Sequence, residues 1–328
     1  MQDLVTVFGG SGFVGSQIVR ALAKQGLRVR VAVRQPHIAY EMRLLGDVGQ
    51  IDVVQANVRN EASVRRALDG AQVCVNAVGI LYETGRQKFQ AVHVDGARRL
   101  AAVAKDMGVA RFVQISAIGA DAASSAAYAR TKAQGETAVR EVYPDAVVLR
   151  PSVVFGPGDG FFNRFATMAT LSPALPLIGG GATLFQPVFV GDVARATACA
   201  AVDPACAGQT YELGGPSVRS FRELMELMLQ VIERRRLLVP LPFAAAKALG
   251  AVAQLAALTP IAPPLTADQV ELLKSDNVVD PARPGLAALG ITPTALEAIL
   301  PTYLYRFRRG GQYADQMERI APPRMAEA

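Results

Sequence analysis

The sequence predicts an α/β fold: a doubly wound parallel sheet with a smaller, Pro/Ala-rich C-terminal subdomain. Three observations point there. Short β-branched runs alternate with helix-spaced segments through the first 150 residues, and a glycine turn sits between the first run and the first helical pattern. After Arg150 the alternation breaks and Gly and Pro become frequent. Strands that alternate with helices must be joined by crossovers, which makes the sheet parallel and covers both of its faces.

Leu4–Phe8, Arg28–Val33, Asp52–Gln55, Val73–Asn76, Arg111–Ile115 and Ala146–Leu149 read as strands. Between the first two, Ile18, Val19 and Leu22 share a helical face and Gly26 marks the stop. Beyond Arg150, Gly156, Pro157, Gly158, Gly160, Pro173, Pro176 and Gly179 to Gly181 mark long loops. Pro187–Val190 reads as a strand feeding a helix whose free first-turn N–H groups Asp192 would cap. Thr210–Leu213 is a further strand, and Ser220–Glu233 a helix with Phe221, Leu224, Leu227 and Met228 on one face. The expected division is a nucleotide-binding core over residues 1–150, with 186–203 and 210–214 folded back onto it. Residues 151–328 then form an interaction region whose last ~20 residues are extended or ordered by a partner.

Composition narrows the function classes. Apolar residues make up 51% of the 328 and charged ones 19%, which excludes charge-driven disorder for most of the chain. Residues 1–150 carry 19 Lys/Arg against 13 Asp/Glu, and residues 151–328 carry 15 of each, so the basic excess sits on the N-terminal half, where it suits an anionic ligand, a partner or a membrane surface. No Lys/Arg run is interleaved with aromatics, and nucleic acid is not an expected partner. Cys74, Cys199 and Cys206 lack a Cys-x-x-Cys spacing and the two His are isolated, so neither a disulfide framework nor a metal site is expected. The apolar run Ala248–Leu258 is 11 residues long, short of the ~20 a bilayer span requires. With no leader ahead of the first strand, the chain is expected to be cytosolic and soluble, or attached to a surface.

Gly9-Gly10-Ser11-Gly12-Phe13-Val14-Gly15 closes the first strand and opens the first helix. Glycines there permit a tight turn and a close approach of backbone N–H groups to a pyrophosphate, which the positive helix end attracts. Sites for NAD usually carry Asp or Glu at the end of the second strand, to accept from the ribose 2′-OH. This chain has Val33-Arg34 there, and a guanidinium suits a 2′-phosphate, favouring NADPH over a reading of Arg34 as a solvated loop residue. Asn57 and Val58 would lie near the adenine, and Ala77, Val78 and Gly79 beneath the adenosine ribose.

Ser116 ends the fifth strand, Tyr128 follows 12 residues later and Lys132 stands at Tyr+4. Residues i and i+4 share a helical face, so Lys132 would lower the Tyr128 pKa and Ser116 would hold a carbonyl oxygen for proton transfer. Together with the glycine turn, this set resembles the short-chain dehydrogenase/reductase superfamily. Arg150-Pro151-Ser152-Val153-Val154-Phe155-Gly156-Pro157 is similar to the Arg-x-x-Asn-Val-Tyr-Gly-Pro segment of its extended branch. The resemblance implies an extended Rossmann fold in which Pro151 and Val153 lie by the nicotinamide, with Tyr128 and Lys132 on its ribose. His93-Val94-Asp95-Gly96-Ala97 departs from the branch's Asn-Val-x-Gly-Thr, which leaves His93 a helix residue rather than part of a proton relay.

A narrower resemblance covers nearly the whole chain. Gly9–Gly15, Asn76–Leu81, Tyr128–Lys132, Gln186–Val193 and Leu241–Phe243 together resemble the nucleotide-binding accessory subunits of respiratory complex I. That resemblance implies NADPH held outside the electron path, and partners that are other complex I subunits near the quinone-binding junction of the peripheral and membrane arms. It also implies a bacterial homologue, peripheral on the cytoplasmic face of the inner membrane. The Leu241–Ala267 stretch, whose one charge is Lys247, could meet lipid headgroups, a partner or its own core. The other function in view is a free NADP-dependent reductase or sugar-nucleotide epimerase using the Ser-Tyr-Lys set.

Overall fold

The computed structural model describes residues 3–254 and 266–313. Strands β1 (Leu4–Phe8), β2 (Arg28–Val33), β3 (Ile51–Gln55), β4 (Val73–Asn76), β5 (Arg111–Ile115) and β6 (Val147–Pro151) alternate with helices α1 (Phe13–Lys24), α2 (Glu61–Leu68), α3 (Asp95–Asp106) and α4 (Ala127–Val142). A later strand, here β11 (Thr210–Leu213), completes a seven-stranded sheet of order β11-β6-β5-β4-β1-β2-β3, parallel throughout. The order reverses between β1 and β4, and open sheets of this kind bind ligands at that switch point, beyond the carboxyl ends of the strands.

The period of two along each strand sorts the core. Val5, Val7, Val29, Val31, Val73 and Val75 point to one face, where they pack with Ile18, Val19 and Leu22 of α1 and with α6 (Val190–Val202). Phe8, Ala32, Cys74 and Phe112 point to the other, under α2, α3 and α4. Helix α6 buries Ala194, Ala196, Ala198, Ala200 and Ala201, small side chains that let it lie close along the sheet and α1.

Asp192 is not a cap. The N-cap position of α6 is Phe189, and Asp192 is buried at the third helical residue. Its carboxylate accepts from Thr294 N–H at 2.6 Å and Thr294 Oγ1 at 3.0 Å, and pairs with Arg195 at 2.6 Å. A backbone donor from the C-terminal segment takes the acid that local sequence assigns to the helix start.

The remaining elements build a second core. These are β7 (Val154–Phe155), α5 (Phe162–Leu171), β8 (Ala174–Ile178), β9 (Leu184–Phe185), β10 (Val188–Phe189), β12 (Arg219–Ser220), α7 (Phe221–Val231), β13 (Leu237–Leu241), α8 (Phe243–Gln254), α9 (Ala267–Leu272) and α10 (Leu296–Leu304). Phe155, Phe162, Phe185, Phe221, Met225, Met228, Leu300 and Tyr303 pack together there. Ser220 opens α7 with a capping box to Glu223, satisfying two orphan donors reciprocally. Within the Leu241–Ala267 stretch, α8 runs to Gln254; Ala246 is buried and Leu249 is 58% exposed, and residues 255–265 lie outside the described residues. So do the final residues, 314–328. Among the described residues no helix is long and apolar enough to cross a membrane. One group, Cys199, Asp203 and Cys206, brings three ligand-type atoms within 4.8 Å of one another, a convergence the linear spacing does not announce.

Candidate dinucleotide site

The glycine turn is built as its spacing requires. Gly9 has φ +76°, and its N–H donates to Ala32 O at 3.1 Å while Gly12 N–H donates to Gly9 O at 3.0 Å. A Cβ on Gly15 would lie 2.2 Å from Gly9 O, so α1 can seat against the turn only with glycine there. A Cβ on Gly10 would lie 3.0 Å from Val31 Cγ1, a packing constraint rather than a ligand contact. Helix α1 starts at Phe13 and Val14 with no side-chain cap and no acid in its first turn, so its positive end is left for an anion.

A cleft of about 250 Å³ opens at the carboxyl ends of β1, β2, β3 and β4. Gly9, Ser11 and Gly12 line it with Arg34, Asn57, Val58, Ala77, Val78 and Gly79. No Asp or Glu lines it, whereas a second cation does: Arg59, which sequence reading missed. Arg59 is held in place, its N–H donating to Asn57 Oδ1 at 3.0 Å and its Nη1 to Arg86 O at 2.7 Å. Arg34 is exposed and has no hydrogen bond or ion pair with a described residue. The chemistry of this lining, two guanidiniums and no carboxylate beside an uncapped helix start, fits the phosphates of a dinucleotide.

Tyr128 and Lys132 do not line this cleft. Lys132 Nζ sits over the Tyr128 ring, 5.8 Å from its centroid, and donates to Ile115 O at 3.2 Å. Burial pushes Tyr128 up to about 12 and draws Lys132 down to about 8, the latter opposed by the Glu136 carboxylate. Proximity of Lys132 therefore does not activate the phenol as expected: desolvation of the tyrosine prevails. His93 braces the same corner. Its Nε2 accepts from Ile80 N–H and its Nδ1 faces Thr131 Oγ1, each at 3.1 Å, and its ring meets Tyr128 edge-on with centroids 5.5 Å apart. Burial, with the nearby Lys132 charge, lowers its pKa to about 3, so it is a neutral strut between the β4 loop and α4.

Ser116 departs from its expected role. Its hydroxyl donates to Glu136 Oε1, a buried carboxylate one helical turn past Lys132. Glu136 also receives both arms of Arg150, Nε at 2.9 Å and Nη2 at 2.6 Å, and Arg150 Nη1 reaches Glu212 at 3.3 Å. A serine hydroxyl has one proton to give, and this one is committed to a carboxylate instead of a substrate oxygen. Further along, Pro151 is buried with its carbonyl accepting from Ile118 N–H at 3.0 Å. The Val153 N–H donates to Asn277 Oδ1 at 3.0 Å, as does the Ser152 hydroxyl at 2.7 Å. Asp268 accepts from the N–H groups of Ala127 and Tyr128, at 2.6 and 3.0 Å, capping α4 from 140 residues away. Asn277 and Asp268 were not foreseen; the Thr266-x-x-Gln269 capping box around Asp268 is the one local signal.

Residues 5–214 match the family model described as "NAD dependent epimerase/dehydratase family". The chain is 35% identical over 316 residues to the mitochondrial NADH dehydrogenase (ubiquinone) 1 alpha subcomplex subunit 9 of Arabidopsis thaliana, covering 94% of this chain and 79% of the relative. It is 34% identical over 321 residues to the same-named subunit of Mus musculus, covering 97% and 84%. A triphenylmethane reductase of Citrobacter sp. superposes with a TM-score of 0.73 at 19% identity, covering 92% of this chain and 99% of that one, a likeness of fold.

Proposed function

Because this chain belongs to the NAD dependent epimerase/dehydratase family and, within it, to the group of alpha subcomplex subunit 9 proteins, we propose that it is an NADPH-binding accessory subunit of the proton-pumping NADH:ubiquinone oxidoreductase, complex I. In this reading it docks on other complex I subunits near the quinone-binding junction of the peripheral and membrane arms, as a peripheral protein on the cytoplasmic face of a bacterial inner membrane. The nucleotide is structural. Residues 1–150, with α6 and β11 returned to them, hold it, and residues 151–328 supply the docking region.

The observation that carries the reading is an intact dinucleotide cleft beside a reductase set whose serine proton is tied to Glu136. The glycine turn would receive the pyrophosphate, and Arg34 with Arg59 the 2′-phosphate. A ligand bound only by the native state adds roughly 2.7 kcal/mol when free ligand is a hundredfold above its Kd.

A free NADP-dependent reductase or epimerase is the second reading, favoured by the retained Tyr128 and Lys132 at helical spacing. Tyr128→Phe separates the two. The subunit reading expects unchanged assembly, unchanged NADPH content and unchanged NADH:quinone turnover in membranes carrying the variant. NADP-dependent turnover of a small carbonyl or sugar-nucleotide substrate by the purified chain, lost in the variant, would install Tyr128 as a catalytic residue.

A further inference from the structure

We infer that one face of the C-terminal half is a contact surface for anionic phospholipid; the inference rests on the peripheral-membrane reading above and names the residues that carry it. Two arginine runs about 70 residues apart in sequence, Arg234–Arg236 and Arg306–Arg309, are interlocked by the fold. Arg234 Nε donates to Phe307 O at 2.7 Å, and Arg308 Nε donates back to Val231 O at 2.9 Å. Arg308 pairs with Glu233 at 3.0 Å, but Arg234, Arg235, Arg236, Arg306 and Arg309 make no ion pair with a described residue. Burial, together with the nearby Arg236 and Arg309 charges, pushes the Arg234 guanidinium below its ordinary value, as convergence of like charges must.

Bulky apolar side chains border these cations. Arg236 Nε donates to Ala169 O at 2.7 Å, two residues from Leu171, and Leu237 N–H donates to Pro173 O at 3.0 Å. Leu171 is 83% exposed and Leu237 is 70% exposed. An acidic protein partner would account for the arginines alone. Leucines standing out beside uncompensated guanidiniums match a headgroup layer better, with arginines forking phosphate oxygens and leucines entering the acyl boundary. Nε of Arg234 and of Arg236 is anchored on a backbone carbonyl, which fixes both guanidiniums beside the exposed Arg235.

The test is cosedimentation of the full chain with vesicles of phosphatidylcholine containing about one-third phosphatidylglycerol, against phosphatidylcholine alone, at low ionic strength. Binding is expected to the mixed vesicles and to be released by salt. Each arginine removed should weaken partitioning about fivefold, so Arg235→Gln with Arg309→Gln should cost roughly 25-fold. Leu237→Ser should weaken it further. The charge-matched control Arg20→Gln with Arg28→Gln, exposed residues of α1 and β2, should retain binding. Equal binding to both vesicle types, or unchanged binding by the Arg235/Arg309 variant, would overturn the assignment. So would retention on an acidic polypeptide without vesicle binding, which would make the face a protein-docking one. NADPH retained by all variants keeps failure here distinct from failure of the nucleotide reading.

Discussion

Arg34→Asp is expected to turn the bound nucleotide from NADPH toward NADH. The wild-type guanidinium would form charge-assisted bonds to a 2′-phosphate, and the variant replaces them with repulsion between two anions. Losing about 3–4 kcal/mol corresponds to a fall in NADPH affinity on the order of several hundredfold. The new carboxylate can accept from the free 2′-OH of NADH, which gains roughly tenfold, so the ratio of affinities moves by about three powers of ten. Arg34 is exposed and unpaired among the described residues, so fold stability should change by about 0.5 kcal/mol or less. Arg59→Gln, removing the second cation without reversing it, should lower NADPH affinity by a smaller factor and leave NADH untouched. Nucleotide extracted from the purified variants and quantified by enzymatic cycling is the measurement. NADPH recovered at full occupancy from Arg34→Asp would remove that residue from the site.

The second large effect is on stability. Glu136→Ala would strip Arg150 of two of its three carboxylate bonds inside the α4–β6 layer, leaving a half-buried guanidinium to Glu212 alone. Breaking a buried pair from one side costs about 3–5 kcal/mol, because the surviving charge stays desolvated. Ser116→Ala, which removes one hydrogen bond to that carboxylate, should cost roughly 2 kcal/mol. Urea denaturation should show the midpoint falling further for Glu136→Ala than for Ser116→Ala. If Glu136→Ala unfolds no more easily than Ser116→Ala, the Glu136–Arg150 pair is not the strut described above.

These effects divide along what a linear reading can and cannot reach. The strands were legible because β-branched runs at period two belong to a sheet covered on both faces, as Val5, Val7, Val29 and Val31 demonstrate. The glycine turn was legible because Gly9 and Gly15 answer to backbone geometry within seven residues. Side chains whose partners come from elsewhere were read wrongly or not at all. Ser116 looked free until α4 brought Glu136 against it, and Asp192 looked like a cap until Thr294 arrived. Tyr128 and Lys132 were correctly placed on one helical face, but their burial, which governs their protonation, belongs to the packed molecule. Arg59 was passed over because no spacing rule ties the loop after β3 to Arg34. That the two arginine runs share one face could not be read, since Arg234 and Phe307 meet only in the folded chain.

Mild detergent extraction of membranes from the source cell, followed by size separation, tests the central claim most directly. The account predicts that this chain migrates with the subunits of NADH:quinone oxidoreductase and that the fraction carries NADPH in proportion to it. Migration of the chain as a small species free of those subunits, with or without its nucleotide, would contradict it.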